Sequence, residues 1–321
     1  MFERLLSQGW MGKQAPEIDA VAWLNSKPLK ISQLKGKVVL IDFWTYSCVN
    51  CQRTLPYLKQ WHQQYSKKGL VIIGVHTPEF DFEKDAENVR SAVKKYNIAY
   101  PVAVDSEYKT WYRYKNRWWP RKLLVDRKGV IVYDHAGEGA YGETEGKIVE
   151  LLGIKRKTKD DLPAKLGSEP RPSALKITPE LYCGLLRNPG LGNGIVCMPG
   201  DCGSYADPKH HRNDTIYLDG DWSQHDEFLQ HEKKKGHLTL KFTASEVNAV
   251  MDSSKAKAEI LLNDKPLKKE EAGDDVVTEG GKSFVVVTHP DMYNLVKGNH
   301  GTREIKIVTE DGLKIFAFTF G

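Results

Sequence analysis

The chain has 321 residues, of which 40% are hydrophobic, and a formal net charge of +5. This length fits two domains of about 150 residues each. Because the positive charges are spread along the chain, the composition argues against a nucleic-acid partner. An apolar signal segment is not found near the N-terminus, and no run of 18 apolar residues occurs. The sequence therefore predicts a soluble protein, cytoplasmic as encoded, or extracytoplasmic if a signal or anchor has been removed.

Apolar strands and amphipathic helices alternate over residues 14–153. Continuous apolar runs, such as 70–76, are typical of strands buried on both faces of a parallel sheet. The pattern predicts an α/β domain. Its expected elements are a short hairpin at 16–34, a strand at 38–44, a helix at 51–67, a strand at 70–76, a helix at 82–96, a strand at 100–104, a hairpin at 122–133 and a helix at 141–152.

Two cysteines, Cys48 and Cys51, lie where the strand at 38–44 passes into a helix. A helix N-terminus offers unpaired N–H groups and a partial positive charge that stabilise a thiolate. We therefore expect Cys48 at an exposed tip as the attacking sulfur, with Cys51 within bridging reach at the i+3 position. Zinc knuckles and structural bridges also use C-x-x-C, but no second C-x-x-C accompanies this one. The spacing favours a redox-active pair with no metal and no cofactor.

Asp42 lies six residues before Cys48, inside the apolar strand. Burial there would raise the pKa of its carboxyl group, which could then relay a proton to Cys51. Trp44 lies between Asp42 and Cys48, and Pro56 follows Cys51 by five residues. This order of Asp-Phe-Trp, C-x-x-C and a helix proline resembles the thioredoxin superfamily. The additional strand and helix at about 78–109 resemble its TlpA and ResA type. The resemblance implies a thioredoxin-like fold and a thiol:disulfide oxidoreductase acting on protein disulfides or dithiols.

Pro120 precedes the second hairpin, in the sequence Trp118-Trp119-Pro120. The resemblance implies a cis proline that faces the C-x-x-C, whose preceding residue would pair with an extended substrate. An ordinary trans proline at the start of a strand is the alternative. We expect one of the two tryptophans to be buried and the other to lie at the edge of the substrate groove. The predicted catalytic residues are Cys48, Cys51, Asp42 and Pro120, and the predicted substrate contacts are Trp44 and Trp119.

Other functions remain open for this region. Thr45 precedes Cys48 by three residues, as in the peroxiredoxin pattern P-x-x-x-T-x-x-C, but Ile41 occupies the proline position. A peroxiredoxin-type peroxide reductase is therefore one alternative, and a binding module with an inert thioredoxin scaffold is another. A group of three carboxylates either caps a helix or places one carboxylate near the dithiol, where it would tune proton transfer. These carboxylates belong to Glu79, Asp81 and Glu83.

Residues 154–176 are polar and read as an exposed linker, and 177–321 contain short alternating strands separated by turn signals. This second pattern predicts an all-β sandwich. Cys183 is expected to be a buried apolar residue. Cys197 and Cys202 could form a loop disulfide, remain free thiols, or bind a metal with a nearby histidine. The candidate histidines are His210 and His211.

The sequence Leu-Asp-Gly-Asp-Trp at 218–222 and the final Phe-Ala-Phe-Thr-Phe-Gly, together with the preceding region, resemble the extracytoplasmic half of DipZ-type proteins. This resemblance implies a jelly roll similar to carbohydrate-binding modules, with a glycan or a protein as its ligand. It also implies an electron donor, either a CcdA-like membrane protein or a thioredoxin system. Four aromatic residues either stack on a sugar or belong to the core: Tyr205, Tyr217, Trp222 and Tyr293.

Overall fold

The computed structural model describes residues 8–155, 176–188, 190–194, 202–310 and 312–321. These residues fall into two compact units, one on either side of the polar segment. Most of the predicted linker lies outside the described residues, and so does Cys197. The linker and the second disulfide therefore stay predictions.

Six strands within 8–155 form the sheet of the N-terminal unit, in the order β1-β4-β3-β2-β5-β6. The strands β2, β3 and β4 are parallel, and the outer pairs are antiparallel. The strands are β1 (Ala22–Leu24), β2 (Val38–Trp44), β3 (Leu70–His76), β4 (Val102–Val104), β5 (Arg121–Val125) and β6 (Ile131–Ala136). The helices are α1 (Val49–Tyr65), α2 (Ala86–Lys95), α3 (Lys109–Arg113) and α4 (Tyr141–Leu152), with 3-10 turns at Gln8–Trp10, Ile31–Leu34, Ser66–Lys68 and Asp81–Lys84.

The central strand β2 is buried on both faces, and its side chains alternate between two cores. Leu40 and Trp44 pack with residues of α1, α2 and α4, whereas Ile41 and Phe43 pack on the opposite side with α3. Because successive residues of a strand point to opposite faces, Asp42 shares the face of Leu40 and Trp44. The same period that makes β2 a buried strand therefore carries a carboxyl group to the face covered by α1.

The thioredoxin-like α/β prediction is confirmed for this unit, including the inserted strand and helix, the β5–β6 hairpin and the closing helix α4. The N-terminal hairpin prediction is wrong, because β1 pairs with β4 and residues 31–34 form a 3-10 turn. The helix predicted at 82–96 is divided at Asp85. Asp85 is extended, and its side chain caps α2 by accepting from the Glu87 N–H at 2.8 Å.

Twelve strands of the described C-terminal unit form one curled antiparallel sheet. Different parts of the long strand β10 pair with β18, β9 and β17, so β10 connects these three strands within the sheet. The strands are β7 (Leu181–Tyr182), β8 (Cys202–Tyr205), β9 (Ile216–Gln224), β10 (Leu229–Ala244), β11 (Val247–Asp252), β12 (Ala256–Leu262), β13 (Lys265–Pro266), β14 (Val277–Glu279), β15 (Lys282–Val287), β16 (Asp291–Val296), β17 (Gly301–Thr309) and β18 (Lys314–Phe320).

The all-β sandwich prediction is confirmed, and its core consists of the alternate side chains of these strands. Cys183 is completely buried, as expected. The four aromatic residues considered for sugar stacking are also buried, so their rings belong to the interior. The structure therefore places none of the four on a surface where a glycan could stack.

A cluster of histidines and carboxylates holds the loop before β9 against the sheet. His211 Nε2 lies 2.7 Å from an Asp207 oxygen, and its Nδ1 lies 2.8 Å from Glu304 on β17. His237 on β10 contacts the other Asp207 oxygen at 2.9 Å. Both ring nitrogens of His211 face carboxylates, so these contacts favour the protonated ring, which can donate from both nitrogens. Partial burial opposes this charge, but the hydrogen bonds and charges of Glu304 and Asp207 together raise the pKa of His211.

Replacing His211 is expected to make the stability of this unit less dependent on pH. The folded pKa of His211 is above its ordinary value of 6.5. Its stabilisation is therefore complete below about pH 6.5 and is lost as the pH rises through the folded pKa. We expect His211→Gln to lower the free energy of unfolding by about 2 kcal/mol at pH 6, and by less at pH 9. Thermal unfolding across this range measures the difference. The exposed neighbour His210→Gln is the control, and an equal loss at both pH values would contradict the charged state of His211.

Candidate active site

Cys48 occupies the N-cap position of α1, after a short loop that leaves β2 at Trp44. Its sulfur accepts a hydrogen bond from the backbone N–H of Cys51, with an N···S distance of 3.4 Å. Both residues are thiols in this structure. An N-cap side chain normally accepts from the second or third helical N–H. The start of α1 therefore directs a backbone donor and its partial positive charge at the sulfur of Cys48.

The dithiol is more buried than the sequence predicted. Cys48 is only 7% exposed and Cys51 is 1% exposed, so the expectation of an exposed tip at Cys48 is wrong for this structure. Both residues pack in the core that also contains Trp44 and Leu55. Burial, together with the neighbouring Cys48, raises the pKa of Cys51 well above its usual range. Cys51 therefore needs a base before it can attack as a thiolate.

Asp42 supplies a carboxyl group on the same face of the sheet. It is 1% exposed, and burial raises its pKa to about 7, while the positive charge of Lys122 opposes the shift. The burial of this carboxyl group and its raised pKa agree with the sequence prediction. Its negative charge also contributes to the raised pKa of Cys51, after burial and the neighbouring Cys48. Among the described residues, Asp42 Oδ1 has no hydrogen-bond partner.

Lys122 is the cation beside Asp42, and the sequence did not reveal it as a site residue. The register of β2 and β5 places Lys122 directly opposite Asp42. Its Nζ donates to the Gly137 carbonyl at 3.2 Å and lies 5.6 Å from the centroid of the Tyr141 ring. Burial lowers the pKa of Lys122, and the charge of Asp42 opposes that shift. A buried carboxyl and a buried amine therefore share one site beside the dithiol.

The Trp119–Pro120 peptide bond is cis, as the family resemblance implied. Pro120 is buried, and its carbonyl accepts from the Gly137 N–H at 2.7 Å. Trp119 donates from its ring nitrogen to the Thr77 carbonyl at 3.0 Å and packs on Trp111, with ring centroids 4.2 Å apart. The contact with Trp111 and the bond to Thr77 fix the side chain that precedes the proline.

Two expectations about the tryptophans need correction. Trp118 and Trp119 are both half-buried, so the prediction of one buried ring and one ring at the groove edge is wrong. Trp44, predicted as a substrate contact, is completely buried. The structure places it in the core with the dithiol rather than at a surface that a substrate could reach.

Glu83 supplies the second buried carboxyl group at this end of the sheet. The sequence did not predict which of Glu79, Asp81 and Glu83 would lie near the dithiol. Glu83 is completely buried, and its oxygens accept from Thr45 and Ser47 in the loop before Cys48. Burial raises its pKa to about 7, and the hydrogen bond from Thr45 opposes that. Of the three carboxylates in its segment, Asp81 is exposed and pairs with Lys84. Because the Thr45 hydroxyl bonds to Glu83, the geometry gives the peroxiredoxin interpretation no added support.

An ion pair supports the strand that follows Pro120. Arg121 donates to both carboxylate oxygens of Asp134, at 2.8 and 2.6 Å, and both side chains are 2% exposed. The guanidinium also reaches the Tyr114 carbonyl and Asn116 Oδ1, each at 3.3 Å. Five donors in a planar fork suit Arg121 to this position. The pair therefore holds β5, β6 and the end of α3 together next to the cis proline.

Two remaining predictions concern binding by other parts of the chain. In the C-terminal unit, an open groove of about 580 Å³ is lined by polar and aromatic side chains that include Tyr182, Arg187 and Arg212. Among the residues that the structure describes, no group of three or more histidines, cysteines or acidic residues is arranged to hold a metal ion. The described helices also include none that is long and apolar enough to cross a bilayer.

The fold and this site define a class: a thioredoxin-like protein with a C-x-x-C dithiol at a helix N-terminus beside a cis proline. Two family models match the chain, Redoxin over residues 11–152 and the thioredoxin-like C-terminal domain over 178–321. The thiol-disulfide oxidoreductase ResA of Bacillus cereus is 30% identical over 141 residues, which cover 44% of this chain and 78% of ResA. The chain belongs to this family of thiol-disulfide oxidoreductases, as the resemblance to the ResA type implied.

Other relatives extend beyond the first unit. Protein DipZ of Mycobacterium tuberculosis is 32% identical over 315 residues, covering 96% of this chain. The chain spans 43% of the length of DipZ. Human NHL repeat-containing protein 2 is 38% identical over 221 residues, covering 66% of this chain and 29% of that protein. The resemblance to the DipZ type, drawn from two motifs of the C-terminal region and the thioredoxin-like region before it, is thus confirmed.

Proposed function

We propose that the N-terminal unit exchanges electrons with protein disulfides through Cys48 and Cys51. One observation carries the proposal: the N-terminus of α1 presents the Cys51 N–H to the sulfur of Cys48. Cys48 lies at the helix terminus and Cys51 lies one turn further into the core. This arrangement suits an attacking sulfur followed by a resolving sulfur.

The exchange proceeds in two steps. The Cys48 thiolate attacks one sulfur of the substrate disulfide, forms a mixed disulfide and releases a substrate thiolate, which takes up a proton. Cys51 then gives its proton to the Asp42 carboxylate and attacks the sulfur of Cys48, releasing the second substrate thiolate. The substrate gains two electrons and the enzyme retains a Cys48–Cys51 disulfide. The reverse sequence oxidises a substrate dithiol by the same atoms.

The other site residues act by positioning and by charge. Lys122 favours the ionised form of Asp42 because its ammonium group is buried beside that carboxylate. Pro120, held by Gly137, and Trp119, held by Thr77, present the backbone along which an extended substrate would pair. A continuing cycle needs an electron donor, for which we propose a CcdA-like membrane protein or a thioredoxin system. A glycan or protein ligand of the C-terminal unit would position the enzyme on its target.

A Cys51→Ser variant is expected to accumulate a mixed disulfide with a disulfide-bonded acceptor such as insulin. Cys48 can still attack, but no resolving thiol follows. The adduct is measured on non-reducing gels, and mass spectrometry after digestion locates it at Cys48. The double variant Cys48→Ser/Cys51→Ser should trap nothing, and Cys183→Ser, which removes a buried thiol of the other unit, should turn over like the wild type.

Three outcomes of this experiment count against the proposal. Absence of an adduct in Cys51→Ser, with no insulin reduction by the wild type, would favour the inert scaffold. Cys48-dependent consumption of hydrogen peroxide without disulfide exchange would favour the peroxiredoxin alternative. An adduct on a cysteine other than Cys48 would remove Cys48 from its proposed role.

A further inference from the structure

The side chain of Glu83 joins two segments that are distant in sequence. Glu83 lies on the 3-10 turn Asp81–Lys84, within the inserted segment, yet its carboxyl reaches the loop between β2 and α1. One oxygen accepts from the Thr45 hydroxyl at 2.5 Å, the Ser47 hydroxyl at 2.7 Å and the Ser47 N–H at 3.2 Å. The other accepts from the backbone N–H groups of Glu79 at 2.7 Å and Phe80 at 3.1 Å.

The five donors around Glu83 require an acceptor on both of its oxygens. Three of them are backbone N–H groups, which can only donate, and they are divided between the two oxygens. An ionised carboxylate has about four lone-pair sites and no hydrogen, so it suits this arrangement. A carboxamide in the same place would turn an N–H toward at least one backbone donor. The site is therefore built for a carboxylate rather than for any polar side chain of that size.

The loop held by Glu83 is also held at its other residues. Because the Thr45 hydroxyl donates to Glu83, it can accept from His76 Nε2 at 3.4 Å. The His76 ring stacks on Tyr46, with centroids 5.5 Å apart. Burial lowers the pKa of His76 to about 3, so the ring is neutral and can supply that N–H. Thr45, Tyr46 and Ser47, the three residues before Cys48, are thus each held by a contact with Glu83 or His76.

This loop sets the position of Cys48. The Cys48 N–H points to the Thr45 carbonyl at 3.4 Å, and Gln52 of α1 donates to the Tyr46 carbonyl at 2.7 Å. Ser47, which donates two hydrogen bonds to Glu83, directly precedes Cys48 in the chain. A shift of this loop would therefore move the sulfur of Cys48 away from the N–H of Cys51.

We propose that Glu83 is a positioning residue for the dithiol: its carboxylate clamps Thr45 and Ser47 and so keeps the sulfur of Cys48 at the N-terminus of α1. Glu83 touches no reacting atom, and its effect passes through the loop. The inference rests on the proposed function, since it assigns Glu83 to that same dithiol. It adds a residue that lies 32 positions beyond Cys51 in the chain.

The test compares Glu83→Gln with Asp81→Asn. Both changes replace a carboxyl group of the same turn with an amide, but Asp81 is exposed and pairs with the neighbouring Lys84. We expect iodoacetamide to alkylate Cys48 about tenfold more slowly in Glu83→Gln at fixed pH, and within twofold of wild type in Asp81→Asn. Peptide mass spectrometry identifies the alkylated cysteine. Loss of the clamp in Glu83→Gln destabilises the reduced dithiol. The equilibrium constant for exchange of Cys48–Cys51 with glutathione should therefore shift about tenfold toward the disulfide, which makes the reduction potential about 30 mV more negative.

A second variant separates positioning from a general loss of structure. Ser47→Ala removes the other side of the clamp and leaves Glu83 in place, so it serves if Glu83→Gln does not fold. If the two residues act through one contact, the double variant should react no more slowly than about the slower single variant. Wild-type rates and potential in folded Glu83→Gln would overturn the proposal, and so would simple additivity of the two effects. Alkylation does not require disulfide exchange, so a wild type that fails to reduce insulin would defeat the proposed function without touching this result.

Discussion

The Asp42→Asn variant is expected to form the mixed disulfide at a near-normal rate but to resolve it about a hundredfold more slowly at neutral pH. Cys51 is buried, and its pKa is raised well above the usual range, so its proton needs an acceptor. The Asp42 carboxylate is a buried base whose charge acts on Cys51, as does the neighbouring Cys48. An asparagine keeps the shape of the side chain but cannot take up the proton. Single-turnover reduction of insulin, with quantification of the mixed disulfide, separates the two steps.

The pH dependence provides a sharper form of the same test. The base form of Asp42 is needed, and its pKa is raised to about 7, so the wild-type resolving rate should rise as the pH passes through about 7. This inflection should be absent in Asp42→Asn. In Lys122→Met the inflection should move to higher pH, because the ammonium group that favours ionised Asp42 is gone. Lys128→Met, on an exposed turn, is the control. A wild-type profile in Asp42→Asn would exclude Asp42 as the proton acceptor.

The stability of Asp42→Asn should change in the opposite sense to its activity. The folded pKa of Asp42 is about 7, above the ordinary value of 3.8. A group with a raised pKa contributes its full stability below the ordinary value and loses it as the pH rises through the folded value. The wild type should therefore lose stability between about pH 4 and 7, and Asp42→Asn should lose less over the same range, because only the contribution of Glu83 remains. If Asp42→Asn resolves the mixed disulfide slowly at pH 8 but is more stable than the wild type at that pH, its slower resolution is not caused by unfolding.

How much of this site the sequence predicts depends on how local each signal is. Asp42, Cys48 and Cys51 lie within one strand-to-helix segment, where a two-residue period and a helix N-terminus determine the geometry. Asp42 could be placed on the correct face by counting along β2. The burial of Cys48 was missed because it depends on the fold of the preceding loop, to which Glu83 contributes from a separate segment.

Residues that meet only through strand pairing or loop packing gave no usable signal. Lys122 reaches Asp42 through the register of β2 with β5, and the hairpin pattern alone does not specify which neighbour β5 joins. Similarly, β1 was assigned to a local hairpin, although its partner β4 lies beyond two intervening strands and two helices. For Glu83, composition identified three acidic neighbours, but only packing distinguishes the buried carboxylate from the exposed Asp81.

Breaking the ion pair next to the cis proline is expected to cause the largest loss of stability among these changes. Asp134→Ala would leave the Arg121 guanidinium buried without its carboxylate, which typically costs about 3–5 kcal/mol. For a unit of this size, such a loss lowers the unfolding temperature by roughly 10 °C. Chemical and thermal unfolding of the full chain, followed by the signal of the tryptophans around Pro120, measures the effect on this unit.

Two matched changes determine whether the loss comes from the stranded charge or from lost packing. Replacing both partners, as in Arg121→Met/Asp134→Leu, removes the buried charges together and should recover most of the stability. The exposed pair Lys147–Glu150 on α4 has a similar N···O distance of 2.9 Å, so Glu150→Ala should change the free energy of unfolding by less than about 0.5 kcal/mol. If Asp134→Ala cost no more than Glu150→Ala, the Arg121 guanidinium would have to be solvated in the folded chain. The strand after Pro120 would then be held by its backbone pairing alone.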